Sequence, residues 1–121
     1  MLIWGGTDSA GALNDGKIYD FAADSWSSVS ATNAPSARLA HTAVFSGTQT
    51  IIWGGDDGTG NGVDTGAKYD HANDSWSSVT TTSAPSARFS HTAIWDGARM
   101  VIWGGTSDGS DQFGDGFAYS P

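Results

Sequence analysis

Cysteine is absent from this 121-residue chain, so neither a disulfide framework nor a thiolate metal site can form within it, and the redox compartment cannot be read from it. Glutamate is absent too: all 13 acidic residues are Asp. With Gly, Ser and Thr abundant beside them, helix interiors are disfavoured and turns favoured, which predicts an all-β fold. Basic residues are scarce. Five Lys and Arg leave a net charge of -8, which works against the non-specific attraction that draws proteins to nucleic acid or anionic lipid. No apolar run exceeds a few residues, too short for a membrane span, and the opening MLIWGGTDSA lacks the basic region and apolar core of a signal peptide. Neither nucleic acid nor membrane insertion is expected.

What the chain has is a period. Trp4, Trp53 and Trp103 each precede a glycine pair, Gly5-Gly6, Gly54-Gly55 and Gly104-Gly105. Tyr19, Tyr69 and Tyr119 recur at even steps, as do Trp26 and Trp76, and residues 16–45 and 66–95 are identical at most positions. Such similarity requires equivalent packing environments in successive units, and a repeated unit need not bury its apolar face alone. The apolar run before each glycine pair reads as a strand, b, buried on both faces. A loop of variable sequence follows, TDSAGALND, DDGTGNGVDT or TSDGSDQFGD. Strand c then forms around each Tyr, and an Asp-rich connection leads to strand d, WSSVS or WSSVT, whose hydroxyls suit a half-wet outer edge. Pro35 and Pro85 cannot donate to a ladder and mark a crossing between sheets. Strand a follows at His41–Phe45 and His91–Trp95, and Ser46-Gly47 or Asp96-Gly97 turns it back into b.

The unit is thus four antiparallel strands, a-b-c-d. Such sheets repeated radially make a β-propeller, and a period of about 50 residues fits kelch better than the roughly 40–45 of WD40. Through the glycine pairs, Tyr19, Tyr69, Tyr119, Trp26 and Trp76, and the Pro-x-x-Arg-x-x-His elements at Pro35, Arg38, His41 and Pro85, Arg88, His91, the chain resembles the Kelch-repeat family over essentially its whole length. The resemblance implies a partial Kelch-type propeller: an incomplete blade over 1–30 (b-c-d), a complete blade over 38–80 (a-b-c-d) and an incomplete one over 88–121 (a-b-c). A closed ring has about four to eight blades. The remaining blades are expected either from a longer polypeptide, the favoured reading, or from other copies of the chain.

Arg38, His41, Arg88 and His91 recur at the blade entrance beside the b-c loops. They admit two readings: ligand contacts, since Arg pairs well with carboxylate or sulfate-like groups, or ties that bond carbonyls and hold blade to blade. Identical recurrence favours ties, because a specific ligand breaks the symmetry of repeats. Asp56, Asp57 and Asp64 lie in one b-c loop and Asp108 and Asp111 in the next. Oxygen-rich loops can hold calcium, but the spacing is not that of an EF-hand, and solvated turn residues are expected, with no metal and no cofactor. His71 stands where the first unit has Phe21 and reads as surface variation. No Gly-x-Ser-x-Gly elbow, Walker loop, His-Glu-x-x-His or cysteine nucleophile is present. The expectation is a non-enzymatic binding or scaffold module presenting b-c and d-a loops to a protein or glycan. The alternatives are a segment of a carbohydrate-acting propeller enzyme, galactose-oxidase-like or a sugar epimerase, and a self-assembling structural repeat or designed propeller fragment. The galactose-oxidase-like group is implied only distantly, because its copper site includes a Tyr joined to a Cys. Enrichment in Ser, Thr, Asp and Gly leans towards a secreted or cell-surface setting.

Overall fold

Each apolar run forms a strand and each glycine pair stops it. The computed structural model describes residues 1–121 as twelve strands and no helix. The first unit holds β1 (Leu2–Trp4), the short hairpin β2 (Thr7–Asp8) and β3 (Gly11–Ala12), then β4 (Gly16–Asp20) and β5 (Ser25–Ser28). The second holds β6 (Thr42–Phe45), β7 (Gln49–Trp53), β8 (Gly66–Asp70) and β9 (Ser75–Ser78). The third holds β10 (Thr92–Trp95), β11 (Met100–Trp103) and β12 (Gly116–Tyr119). Pairing is antiparallel throughout and gives three sheets in the orders β1-β4-β5, β6-β7-β8-β9 and β10-β11-β12, with β2-β3 as a separate ribbon. The β2-β3 ribbon falls in what the sequence presents only as a variable loop; Asp8 Oδ1 accepts from the N–H groups of Ala10 and Gly11 and closes its turn.

Register repeats as faithfully as sequence. Tyr69 lies opposite Trp76 as Tyr19 lies opposite Trp26, and Thr42 opposite Trp53 as Thr92 opposite Trp103. Trp53 and Trp103 lie in different sheets, so successive units stand side by side. The chain is therefore a partial propeller, one four-stranded blade flanked by two of three strands.

The core sits between blades. Trp4, Ile52, Ala67, Tyr69 and Trp76 form one buried cluster across the first and second sheets, while Val44, Ile51, Trp53, Val79, Met100 and Ile102 form another across the second and third. Ile51 and Ile52, adjacent in β7, point into different clusters because side chains alternate along a strand. This corrects the expectation that every b strand is buried on both faces. Only β7 is so enclosed; Ile3 in β1 is half-exposed, and Trp103 in β11 is 60% exposed where Trp53 is buried. The cause is neighbours: β7 has a sheet on either side and the others do not.

Candidate functional site

The Pro-containing crossing delivers Arg38 and Arg88 to the seam between blades. Its bends use left-handed backbone at Asn33 and Ser83 and again at Ala40 and Ser90, so the path repeats in both copies. The Arg38 backbone faces backward: Gly6 donates to its carbonyl at 2.9 Å, and its own N–H donates to Leu13 O at 3.0 Å. The side chain faces forward. Nη1 donates to Gly54 O at 2.9 Å and Thr65 O at 2.8 Å, Nη2 to Ser36 Oγ and Thr65 Oγ1, and Nε to Ser36 O. One residue thus joins two blades. Arg88 repeats the arrangement, with Gly55 donating to its carbonyl and Nη1 reaching Gly104 O at 2.9 Å and Asp115 Oδ1 at 2.8 Å. Its guanidinium also lies 4.2 Å over the Phe113 ring. The bond from Arg88 holds the Asp115 carboxyl below its ordinary range.

Arg38 is 1% exposed and Arg88 0%, so neither presents its guanidinium to solvent. Of the two roles the sequence allows them, tying blade to blade is the one this geometry serves; direct contact with a ligand would first require the seam to open. The histidines follow suit. His91 Nε2 lies 2.7 Å from Thr42 Oγ1, and its ring stands edge-on to Trp53 at 5.4 Å. Burial first, then the positive Arg88 and His41 nearby, lower its pKa to about 4, which leaves it neutral at pH 7. His41 is shifted the same way by burial and by Arg38. A buried neutral imidazole packed on an indole is an apolar filler with one polar tether.

The three b-c loops meet in series along one face. A Cβ on Gly58 would lie 3.0 Å from Ala12 of the first unit, and Gly62 donates to Ser107 O of the third at 2.8 Å. The entrance segments join them, since Leu39 and Asp56 exchange both backbone hydrogen bonds, as do Phe89 and Thr106. On this face Asp56 Oδ1 accepts from Gly58 and Gly60, and Asp57 Oδ1 accepts from the N–H and hydroxyl of Thr59, whose bonds hold Asp57 below the usual carboxylate range. Asp108 Oδ1 accepts from Ser110 N. Asp64 and Asp111 are exposed at the loop surface. Each of Asp56, Asp57 and Asp108 bends its own loop, and no group of three or more His or Asp side chains draws together closely enough to hold a metal ion.

Two arrangements escape sequence reading. One is a clamp between blades: Tyr69 Oη donates to Asp74 Oδ1 at 2.7 Å, Ser30 N donates to the same oxygen at 2.9 Å, and Trp76 Nε1 donates to Ser30 O at 2.9 Å. The recurring Tyr-Asp-x-x-x-Asp-x-Trp spacing at 19–26 and 69–76 signals the Tyr–Asp bond, which Tyr19 and Asp24 repeat, but not the reach to Ser30. The other is His71, read as surface variation. It bonds Thr50 Oγ1 at 2.8 Å and stands edge-on to Tyr69 at 4.9 Å, as Phe21 does to Tyr19 at 4.8 Å. An aromatic ring over the Tyr is what the position requires.

A family model described as the KLHDC2/KLHL20/DRC7 Kelch-repeats domain matches residues 1–121. The chain belongs to the Kelch-repeat family. This Kelch-repeat chain is also similar to the human protein named Multiple epidermal growth factor-like domains protein 8, 36% identical over 56 residues that make up 46% of the chain. It spans 2% of the length of that relative. In Kelch terms, the glycine pair, Tyr and Trp of the motif are the groups described above: the turn that lets the next blade approach, and the two rings of the clamp.

Proposed function

We propose that this Kelch-repeat chain is part of a protein-interaction scaffold, and that the face built by its b-c loops and d-a segments recognises a protein or glycan ligand. One observation carries the reading. The three loops touch one another on a single face yet share almost no sequence, whereas the residues beneath them, Arg38, Arg88 and the glycine pairs, repeat identically. A fixed frame under variable loops separates stability from recognition, since loops raised on a rigid repeat can change without disturbing packing. Acidic Asp57, Asp64, Asp108 and Asp111 on that surface favour ligands with hydrogen-bond donors, such as sugar hydroxyls or basic peptide groups.

The test exchanges residues 57–61 alone for an unrelated sequence of equal length. Asp56 and residues 62–65 stay, because Asp56 bridges Leu39, Gly62 bonds Ser107 and Thr65 holds Arg38. The parent and the exchange variant are probed on a glycan array and a displayed peptide library. Binders found with the parent and lost with the variant, at an unchanged melting temperature, support the proposal. Identical binding by both removes this loop from recognition.

A further inference from the structure

The second b-c loop contains a glycine that the third blade does not let change. Gly62 lies against the entrance of that blade: a Cβ there would stand 2.8 Å from Arg88 N and 3.0 Å from Ala87 C, so only glycine fits without a shift. Its N–H donates to Ser107 O at 2.8 Å, the bond that joins the second loop to the third. Asn61 precedes it, exposed at the surface, with Nδ2 donating to Thr59 Oγ1 at 2.7 Å. An asparagine Cγ lies within ring-closing reach of the next residue's backbone nitrogen, and a Cβ on that next residue ordinarily crowds the approach. Asn14, Asn33 and Asn73 are followed by Asp15, Ala34 and Asp74, each with a Cβ, whereas Asn61 is followed by glycine. The packing that demands Gly62 therefore leaves the Asn61 side chain open to attack from its own backbone.

We propose that Asn61-Gly62 is a self-modification site whose reaction is gated by the contact between the second and third loops. The Gly62 nitrogen gives its proton to solvent and attacks Asn61 Cγ. A C–N bond forms, the bond from Cγ to Nδ2 breaks, and Nδ2 takes a proton from solvent and leaves as ammonia. Water then opens the cyclic imide at either carbonyl, giving Asp or isoaspartate. In sum an amide and a water become an acid and ammonia, and nothing is oxidised or reduced. While the face is closed, the Gly62 N–H is held on Ser107 O, and the ring cannot close until that bond is given up. The reaction thus samples the state in which the two loops have parted, a local opening and not the unfolding of the chain. Its product does not revert to Asn. It adds a negative charge to a surface that already carries Asp57, Asp64, Asp108 and Asp111, and as isoaspartate it lengthens the main chain by a carbon immediately before the link to Ser107. A transient parting of the loops is converted into a lasting change of the face.

The full chain, its Asn61→Gln variant and a synthetic peptide of residues 57–66 are incubated in mildly alkaline buffer, and proteolytic fragments are mapped by mass, with the Asp and isoaspartate products separated by chromatography. The mass gain of an amide turned into an acid is expected at residue 61 and is expected to vanish in Asn61→Gln, whose longer side chain must close a larger ring. The folded chain should react at least about twofold and up to about tenfold more slowly than the peptide, the factor that one backbone hydrogen bond is worth. Urea below the unfolding transition should speed the folded chain with a shallower slope than global unfolding shows, because parting two loops exposes less surface. Gly54→Ala, which presses on the Arg88 carbonyl beside the Phe89 and Thr106 pair, should also speed it. Equal rates in chain and peptide, conversion of Asn14, Asn33 or Asn73 ahead of Asn61, or a folded Gly54→Ala chain that reacts no faster would each overturn the proposal. So would a reaction that is silent below the transition or follows the global slope, since it would then wait for the chain to unfold. If Gly54→Ala does not fold, the urea slope decides. The readout is mass and not binding, so this inference and the recognition face fail separately.

Discussion

Gly54 and Gly104 occupy equivalent positions and should respond differently to the same methyl group. Both have left-handed backbone, φ +66° and +70°, where an L side chain costs roughly 1–2 kcal/mol. That cost is common to Gly54→Ala and Gly104→Ala. Space is what separates them. A Cβ on Gly54 would stand 2.7 Å from Arg88 O and 2.7 Å from His91 Cε1, so the entrance of the third blade must move; a Cβ on Gly104 would find only Phe113 O at 3.6 Å, an ordinary contact. Overpacking of this kind typically adds about 1–3 kcal/mol. Here it also pushes on the Gly55 to Arg88 hydrogen bond, the link from the second blade to the third. Gly54→Ala is therefore expected to lose about 2–5 kcal/mol and Gly104→Ala only about 1–2. Urea titrations followed by tryptophan fluorescence measure both, and a fitted slope shared with the parent chain shows that the losses are comparable. Equal losses would refute the reasoning, because they would mean that the next blade does not press on Gly54.

Three further outcomes follow from the same seams. Stability should fall with acid through the histidines: His91 has a folded pKa near 4 against an ordinary 6.5, so between those values the unfolded chain binds more protons, and its contribution, of order 3 kcal/mol, is complete above pH 6.5 and gone below pH 4. Urea midpoints at pH 4.5 and 7.5 read this, and His91→Gln should flatten the profile. Arg38→Met should cost about 3–5 kcal/mol, because the carbonyls of Gly54 and Thr65 lose their buried partner, and Arg38→Lys should not restore it, since an ammonium cannot span the fork of acceptors; thermal melts decide. Trp76→Ala should cost about 3–5 kcal/mol while Trp26→Ala costs under about 1, as Trp76 is 5% exposed and Trp26 50%, although their sequence surroundings are nearly the same. Similar losses at the two sites would show that the first sheet is covered in solution.

Strand identity, order and pairing were legible because they depend on local features that repeat. Gly54-Gly55 ends β7, Ser46-Gly47 turns β6 into β7, and Pro35 marks the crossing. The candidate site was legible only in part. Arg38 and His41 stood out by recurrence, but Thr65 and Asp115, the acceptors that distinguish one Arg tie from the next, lie 27 residues away and share no chemistry beyond oxygen. The Asp74 clamp was missed for a related reason. An Asp in a turn ordinarily bonds its own backbone, as Asp70 does, and nothing local shows that Asp74 instead reaches Ser30 of the preceding blade.

The amino-acid sequence by itself determined the period, the four-strand unit and the residues that each unit offers to its neighbours. Only the tertiary structure decided which offers are taken. Trp53 and Trp103 sit in the same motif, yet one is buried and the other mostly exposed. Burial belongs to a pair of surfaces and not to a residue, so identical repeats acquire different environments as soon as one has a blade beside it and the other has water.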